Sequence, residues 1–441
     1  MERLARGEAM NSEPAESGYL ISKKYSYYVF GLLFLLYMFD YIDRMVIASL
    51  FPFLKSDWGL TDTQCGLLVA AISWSIVAFT FPVSVAVDRW SRKKCIGIMA
   101  VLWSLATAAC AFTTNFFQLL VARVFIGLGE AGYAPGGTAM ISALFPEEKR
   151  AKVMGIWNAS IPLGAAMGVA LGGIIAERFG WRHAFGLVAL PGLVVAILFF
   201  WVKDYRSVDL VKTSSLSGKP EAKTSMRVAD IAREILQTRS LILTYLAFAC
   251  NLFATAALLA WLTTYFHRIY GLSVSEAGTK SGLVMIMAIV GAPLGGFLAD
   301  KWYKADRRGR LRFASLASFL AFVAFFTAFS MPEHALAFPI MCLGGIMAAA
   351  FVPAAAAVTQ DVVHPGLRAV SYSLCVIVQQ ILGTALGPVF VGVVSDHYGI
   401  RTAFLILPFS FVVAAALYFA GSFYYRKDLE KVERVTLVFE Q

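Results

Sequence analysis

Apolar runs of about twenty residues or more recur along nearly the whole chain, set apart by short charged or Gly/Pro-containing breaks, and each is long enough for a helix to cross a hydrocarbon layer of roughly 30 Å. Ten-residue segments of strict alternation, which a spanning barrel requires, are not the pattern. The runs predict twelve helical spans, at about 26–53, 63–87, 95–114, 117–145, 151–176, 183–202, 240–266, 277–299, 312–331, 335–360, 368–395 and 402–425. One long polar interruption, rich in Lys, Ser, Asp and Arg, separates the sixth span from the seventh. The expected organisation is an N-terminal tail (1–22), a six-helix bundle (23–202), a linker (203–239), a second six-helix bundle (240–425) and a C-terminal tail (426–441).

A weak internal repeat supports two related halves. Gly164, Gly168, Gly173, Gly180, Arg182, Ala184 and Phe185 reappear 219 positions later as Gly383, Gly387, Gly392, Gly399, Arg401, Ala403 and Phe404. The stretch VAVDRWSRKK after the second span has its counterpart in GGFLADKWYKADRRGR after the eighth. The fold class is therefore an all-α integral membrane protein of twelve transmembrane helices in two pseudo-symmetric six-helix bundles, with a central cleft between them.

Composition agrees and narrows the function. The 441 residues are 59% hydrophobic and only 15% charged, and the mean hydropathy is +0.69. A net charge of +10 invites a nucleic-acid reading, yet the basic residues occupy short loops between apolar helices. Thirty of the 38 lie in the tails, the linker and the even-to-odd loops, against six on the other side, which places both termini in the cytoplasm. Residues 1–18 have no apolar core, so the first helix is expected to serve as the insertion signal. The six cysteines form no CxxC pair and no two histidines have helical ligand spacing, so neither a metal nor another cofactor is expected. No GxxxxGK[ST] loop occurs, which leaves an ion gradient as the energy source.

An ionisable group at mid-membrane costs at least about 2.5–3.5 kcal/mol, so those inside spans carry the functional expectations. Five lie there, all in the first half: Asp40, Asp43 and Arg44 on the first span, Arg123 and Glu130 on the fourth. The second half contributes uncharged Asn251, Thr255, Gln379, Gln380 and Thr384. Arg123 and Glu130 are seven residues apart on one helix face and should look into the same cleft without pairing. The expected arrangement sets Asp43 against Arg123, and Arg44 near Glu130 or the substrate. Glu130 sits in the small-residue run GLGEAGYAPGG, where loss of water favours the neutral acid and suits a proton carrier. Substrate binding is thus assigned to Arg44, Arg123, Asn251, Gln379 and Gln380, and proton coupling to Glu130, Asp43 and Asp40. Asp88, Arg89 and Arg92, with Asp300 in the second half, are expected to form a cytoplasmic gate. The glycines of the fifth and eleventh spans are read as close helix contacts.

These residues resemble the major facilitator superfamily from the first span to the twelfth. Asp88, Arg89, Arg92 and Lys93 match its loop signature G-x-x-x-D-R-x-x-R-K, with Ser84 in place of the glycine, while Gly296 and Asp300 keep the pattern in the second half. Arg123, Gly127 and Gly129 match R-x-x-x-G-x-G. GVALGG (168–173) is similar to the antiporter signature but has Val169 where that has proline, which weakens an antiporter reading drawn from this motif. FDYIDR (39–44), GLTDTQCGLL (59–68), ARVFIGLGEAGYAP (122–135) and LGPVFVGVVSD (386–396) resemble the spinster-like transporters most closely. The organic-anion:proton symporters share the Asp-Arg pair and the Arg-to-Glu spacing. The resemblance implies a monomeric secondary transporter; the compact loops point to a bacterial inner membrane, and a chain without a nucleophile, metal or cofactor constellation, and with a linker and tails too short for a signalling module, is expected to be neither an enzyme nor a receptor. It would move an amphipathic organic anion, lysophospholipid-like or carboxylate, together with protons by alternating access. A small sugar-acid symporter and a proton-driven drug or metabolite exporter are the alternatives.

Overall fold

The structure is a computed structural model in which residues 22–89, 91–203, 235–364 and 367–432 are described. It is helical nearly throughout, and the first six crossings are α1 (Lys23–Met45), α2 (Asp62–Arg89), α3 (Arg92–Cys110), α4 (Phe116–Glu130, resuming over Tyr133–Leu144), α5 (Glu147–Phe179) and α6 (Trp181–Phe199). The second six are α7 (Arg239–Tyr270), α8 (Val274–Ile286 and Ala288–Ala305), α9 (Gly309–Ser330), α10 (Ala337–Ala350 and Val352–Asp361), α11 (Arg368–Val378, a π-helical segment Gln379–Ala385, then Leu386–Tyr398) and α12 (Ile400–Ile406 and Phe409–Lys431). Eleven of the crossings are long and apolar enough to span a membrane by length and composition. The other is α1, whose 23 residues reach roughly 35 Å at 1.5 Å per residue. The expected first span, 26–53, is shorter in the structure: after Met45 the chain tightens into a helical turn (Val46–Ser49) and a short helix (Phe51–Trp58). Most of the linker (204–234), most of the N-terminal tail (1–21) and the last residues (433–441) lie outside the described residues.

Lipid replaces water around such a bundle, so helices gain little from hiding apolar surface from one another and associate through close packing instead. Large apolar side chains accordingly point outward, Phe297 at 67% and Leu190 at 56% exposure among them. Small residues line the seams. A Cβ on Gly164, Gly168 or Gly172 of α5 would run into the carbonyls of Met38, Ile42 or Val46, so these glycines let α5 lie directly on the last turns of α1. Gly383 and Gly387 do the same for α11 against Ala249 and Phe253 of α7. The close-contact reading of both glycine series is what the packing displays. Four glycines with positive φ (Gly59, Gly180, Gly271 and Gly399) end α-helical segments in the α1–α2, α5–α6, α7–α8 and α11–α12 turns, where a β-carbon would be strained.

Where one half meets the other is equally specific. Gly66 of α2 faces the Pro388 carbonyl of α11, and Gly278 and Gly282 of α8 face the Val169 and Ala166 carbonyls of α5. Among the described residues, these approaches between halves, with those of Gly173 to Val274 and Gly392 to Asp62, gather toward the face opposite the chain termini.

Candidate functional site

The last turns of α1 crowd three ionisable residues into five positions, and their helical spacing sends them to different neighbours. Arg44 lies one turn after Asp40, and its Nη2 is 3.2 Å from Asp40 Oδ2. The other edge of the same guanidinium meets α4, with Arg44 Nε 2.9 Å from Glu130 Oε2. The two meet as charges at short range rather than along an aligned N–H···O line, since neither atom satisfies hydrogen-bond geometry. Tyr41 completes the surroundings, its ring centroid 4.9 Å from the guanidinium carbon, a cation–π distance.

Local sequence explains why Glu130 arrives there. Gly127 and Gly129 seat α4 against the backbones of Ile72 and Trp103, which a β-carbon at either position would prevent. Glu130 then closes the first segment of α4, just before the interruption at Ala131–Gly132. The Glu130 side chain is fully buried and that of Asp40 is 1% exposed, whereas Arg44 keeps 16%. Of the three side chains, that of Arg44 is the one that keeps some exposure.

Arg123 is placed differently from expectation. It is fully buried, and it donates to three main-chain carbonyls: Leu68 from Nε at 3.1 Å, Asp43 from Nη1 at 3.4 Å and Arg44 from Nη2 at 3.2 Å. The anticipated pairing with Asp43 therefore runs through that residue's carbonyl, not its carboxylate. The reason lies in the end of α1, where the helix tightens after Met45 and its last carbonyls lack intrahelical donors. Arg123 supplies them, and its guanidinium is consumed in joining α1, α2 and α4. Neither carboxylate oxygen of Asp43 accepts a hydrogen bond among the described residues.

The second-half candidates also divide. Asn251 is fully buried and donates to Ser318 Oγ at 3.1 Å and to the Ala247 carbonyl, which turns it into its own bundle toward α9. Gln379 is 8% exposed and donates to Cys375 Sγ. Gln380 is half-buried and stands in the π-helical segment of α11, a departure from regular helix that recurs at functional sites. The structure brings together Asp40, Arg44 and Glu130; it does not bring Asn251 or Gln379 to them.

Of the expected gate, the side chains of Asp88, Arg89 and Arg92 lie outside what is described. Asp300 accepts from Arg310 Nη2 at 2.9 Å, and Arg310 also pairs with Asp361, which in turn accepts from Tyr425 Oη at 2.7 Å. All four belong to the second bundle, so Asp300 braces that bundle internally. Sequence reasoning missed an ion cluster on the face opposite the termini, where Asp62 of α2 accepts a two-pronged contact from Arg268 of α7 at 2.7 and 2.8 Å. Both residues sit at span ends, where charge is ordinary, so burial alone distinguishes them. Tyr41, inside FDYIDR, is legible from the sequence as an aromatic flank of Asp40, but its place over the Arg44 guanidinium is not.

A sequence model described as the Major Facilitator Superfamily matches residues 33–381 and 303–438. The chain belongs to the major facilitator superfamily. As a member it is a multi-pass membrane transporter and not an enzyme. It is 30% identical to the hexuronate transporter of Bacillus subtilis over 282 residues, which are 64% of this chain and 66% of that one. It is 24% identical to protein spinster homolog 1 of Xenopus laevis over 445 aligned residues, covering 94% of this chain and 84% of that protein. In structure it superposes with a TM-score of 0.80, at 24% identity, on a bacterial homologue of the human lysosomal transporter Spinster in an inward-facing, unoccupied conformation. That likeness covers 92% of this chain and 99% of the other, and establishes the fold.

Proposed function

We propose that this chain is a proton-coupled transporter of an organic anion with an apolar body, working by alternating access with both termini in the cytoplasm of a bacterial cell. One observation carries the proposal: a single guanidinium, that of Arg44, is shared by two buried carboxylates, and the Arg44 side chain is the only one of the three to keep more than 1% exposure. With Asp40 and Glu130 both ionised, the trio already has one negative charge in excess, and an incoming anion on Arg44 would add a second in a place with little water. That accumulation is costly. A proton on Glu130 removes the excess and frees one edge of Arg44 for two-pronged binding of a carboxylate or phosphate, which guanidinium geometry suits. Anion and proton would then enter together, each favouring the other.

Arg123 is held by three carbonyls, so in this reading Arg44 alone anchors the anion while Arg123 positions the end of α1. Gln380, half-buried in the π-helical segment of α11, is the second-half residue assigned to meet the remainder of the substrate. The length of the likeness to spinster homologues, among them a probable sphingolipid transporter of Arabidopsis thaliana, supports an amphipathic anion. The likeness to the hexuronate transporter supports a small sugar acid as the second reading. A thermal-shift screen of the purified protein against lysophosphatidylglycerol and glucuronate separates them. A ligand at 100 times its Kd stabilises the folded state by about 2.7 kcal/mol. A shift with the lysolipid alone supports the first reading and a shift with glucuronate alone the second; no shift with either anion would contradict both.

A further inference from the structure

The two halves are clasped, on the face opposite the termini, by a pair of crossed helix caps related by the internal repeat. In one, Asp396 at the end of α11 reaches across to the start of α2, where its Oδ1 accepts from the Asp62 N–H at 2.8 Å. Its Oδ2 accepts from the Thr63 N–H at 2.8 Å and from Thr63 Oγ1 at 2.6 Å. In the other, Glu177 at the end of α5 reaches to the start of α8 and its Oε1 accepts from the Ser275 N–H at 3.1 Å. Each carboxylate thus satisfies helix-terminal donors belonging to the opposite bundle, where the helix dipole also favours an anion.

The correspondence extends residue by residue. Asp396 lies 219 positions after Glu177, the separation of the glycine series, and Ser275 lies 212 after Thr63, the separation of Asp88 and Asp300. One turn before each acid is a glycine, Gly173 or Gly392, in contact with the carbonyl of Val274 or Asp62, residues again 212 apart. Each capped helix begins with the same local box, in which Thr61 and Gln64 bond one another as do Ser273 and Glu276. A glycine followed four residues later by an acid is therefore the working unit. The glycine lets the foreign helix end approach and the acid caps it.

The two clasps are unequal. Asp62 also accepts from Ser395 Oγ at 2.6 Å, from both ends of the Arg268 guanidinium, and from Lys55. The α2–α11 clasp thereby buries a carboxylate, at 2% exposure, between partners from both halves. Among the described residues Glu177 accepts one bond at the α5–α8 clasp, from the Ser275 N–H, where Asp396 accepts three. We propose that these crossed caps hold the face opposite the termini shut, that Asp396 and Glu177 are the residues released when that face opens, and that the α2–α11 clasp contributes the larger share. The proposal rests on the alternating-access reading.

Double electron–electron resonance on the full chain in nanodiscs tests it, with spin labels on genetically encoded keto amino acids so that the native cysteines stay in place. One label pair, at exposed Phe112 and Glu333, reports the clasped face; a second, at exposed Lys152 and Lys304, reports the face that carries the termini. Asp396→Ala should raise the ratio of long to short distances at the first pair by roughly 2- to 30-fold, the range set by losing a helix cap. Glu177→Gln should give a smaller rise. Asp57→Asn, whose polar partners among the described residues are Trp181 and Arg182 of its own half, should give none. Thr63→Val removes one donor to Asp396 and should shift the ratio in the same direction should Asp396→Ala not fold. Coincident distributions for wild type, Asp396→Ala or Thr63→Val, and Glu177→Gln, while the two label pairs still exchange, overturn the clasp alone. One fixed distance at both pairs in every protein overturns the alternating-access reading, and the clasp with it.

Discussion

Replacing Glu130 by glutamine keeps the size and a carbonyl acceptor at the site but removes one of the two charges that hold Arg44. Arg44 Nε and Glu130 Oε2 are 2.9 Å apart, and two unit charges about 4 Å apart at an effective dielectric constant near 20 attract by about 4 kcal/mol. Only part of this reaches a bound anion, because the dipole of the substituted amide still faces the guanidinium and Asp40 remains 3.2 Å away. A coupling of about 1.5–3 kcal/mol, or roughly 10- to 150-fold in affinity, is the expected remainder. Glu130→Gln should therefore bind the anion that many times more tightly than wild type at pH 8. Wild-type affinity should rise as the pH falls, since protonating Glu130 has the same electrostatic effect as the substitution, while the variant's affinity should change little over that range. Titration calorimetry between pH 6 and 8, with lysophosphatidylglycerol and with glucuronate, measures both. Equal affinity of variant and wild type at pH 8, or an unchanged pH slope in the variant, would refute the reasoning.

Arg44→Lys retains a positive charge but loses the two-pronged geometry, so anion binding should weaken about tenfold or more in the same calorimetric assay; wild-type affinity would remove Arg44 from the binding site. Arg123→Lys should act on the fold instead, because one ammonium cannot serve three carbonyls whose donors come from a planar fork. A loss of about 2–4 kcal/mol, seen as a lower Tm in detergent, is expected, and an unchanged Tm with weakened anion binding would return Arg123 to the substrate. Asp43→Asn should leave the Tm near that of wild type, because Arg123 takes the carbonyl of Asp43 and not its side chain. A large drop in Tm would show that the carboxylate holds the arginine after all.

The twelve crossings were legible because each is an apolar run of membrane length, and the halves because Gly164 to Phe185 repeats as Gly383 to Phe404. The polar trio was legible because charge inside a span is rare and demands a partner. Arg44 near Glu130 could be anticipated from that demand; the place of Asp40 in the trio could not, since helical spacing sets its direction but not which helix stands opposite. Arg123 was hard to place for a related reason. Its partners are main-chain carbonyls exposed by the tightening of α1 after Met45, and no side chain in the sequence announces them. Asn251 shows the same limit, because a buried amide can equally serve a cleft or a neighbouring helix, and here Ser318 of α9 takes it. The crossed caps escaped because a Gly-x-x-x-acid unit at a span end looks like ordinary loop chemistry. Only the two repeat separations, read together with the bonds, reveal the pair.

Anion uptake into proteoliposomes under an imposed pH gradient tests the coupling of proton to anion most directly, using whichever of the two probes gives the larger thermal shift. With the outside acidic, wild-type vesicles should concentrate the labelled anion above its external level, and a protonophore should abolish the excess. Glu130→Gln vesicles should exchange the anion without concentrating it. Wild-type uptake that only equilibrates whatever the gradient, or accumulation by Glu130→Gln equal to that of wild type, would contradict proton coupling through the Asp40–Arg44–Glu130 trio.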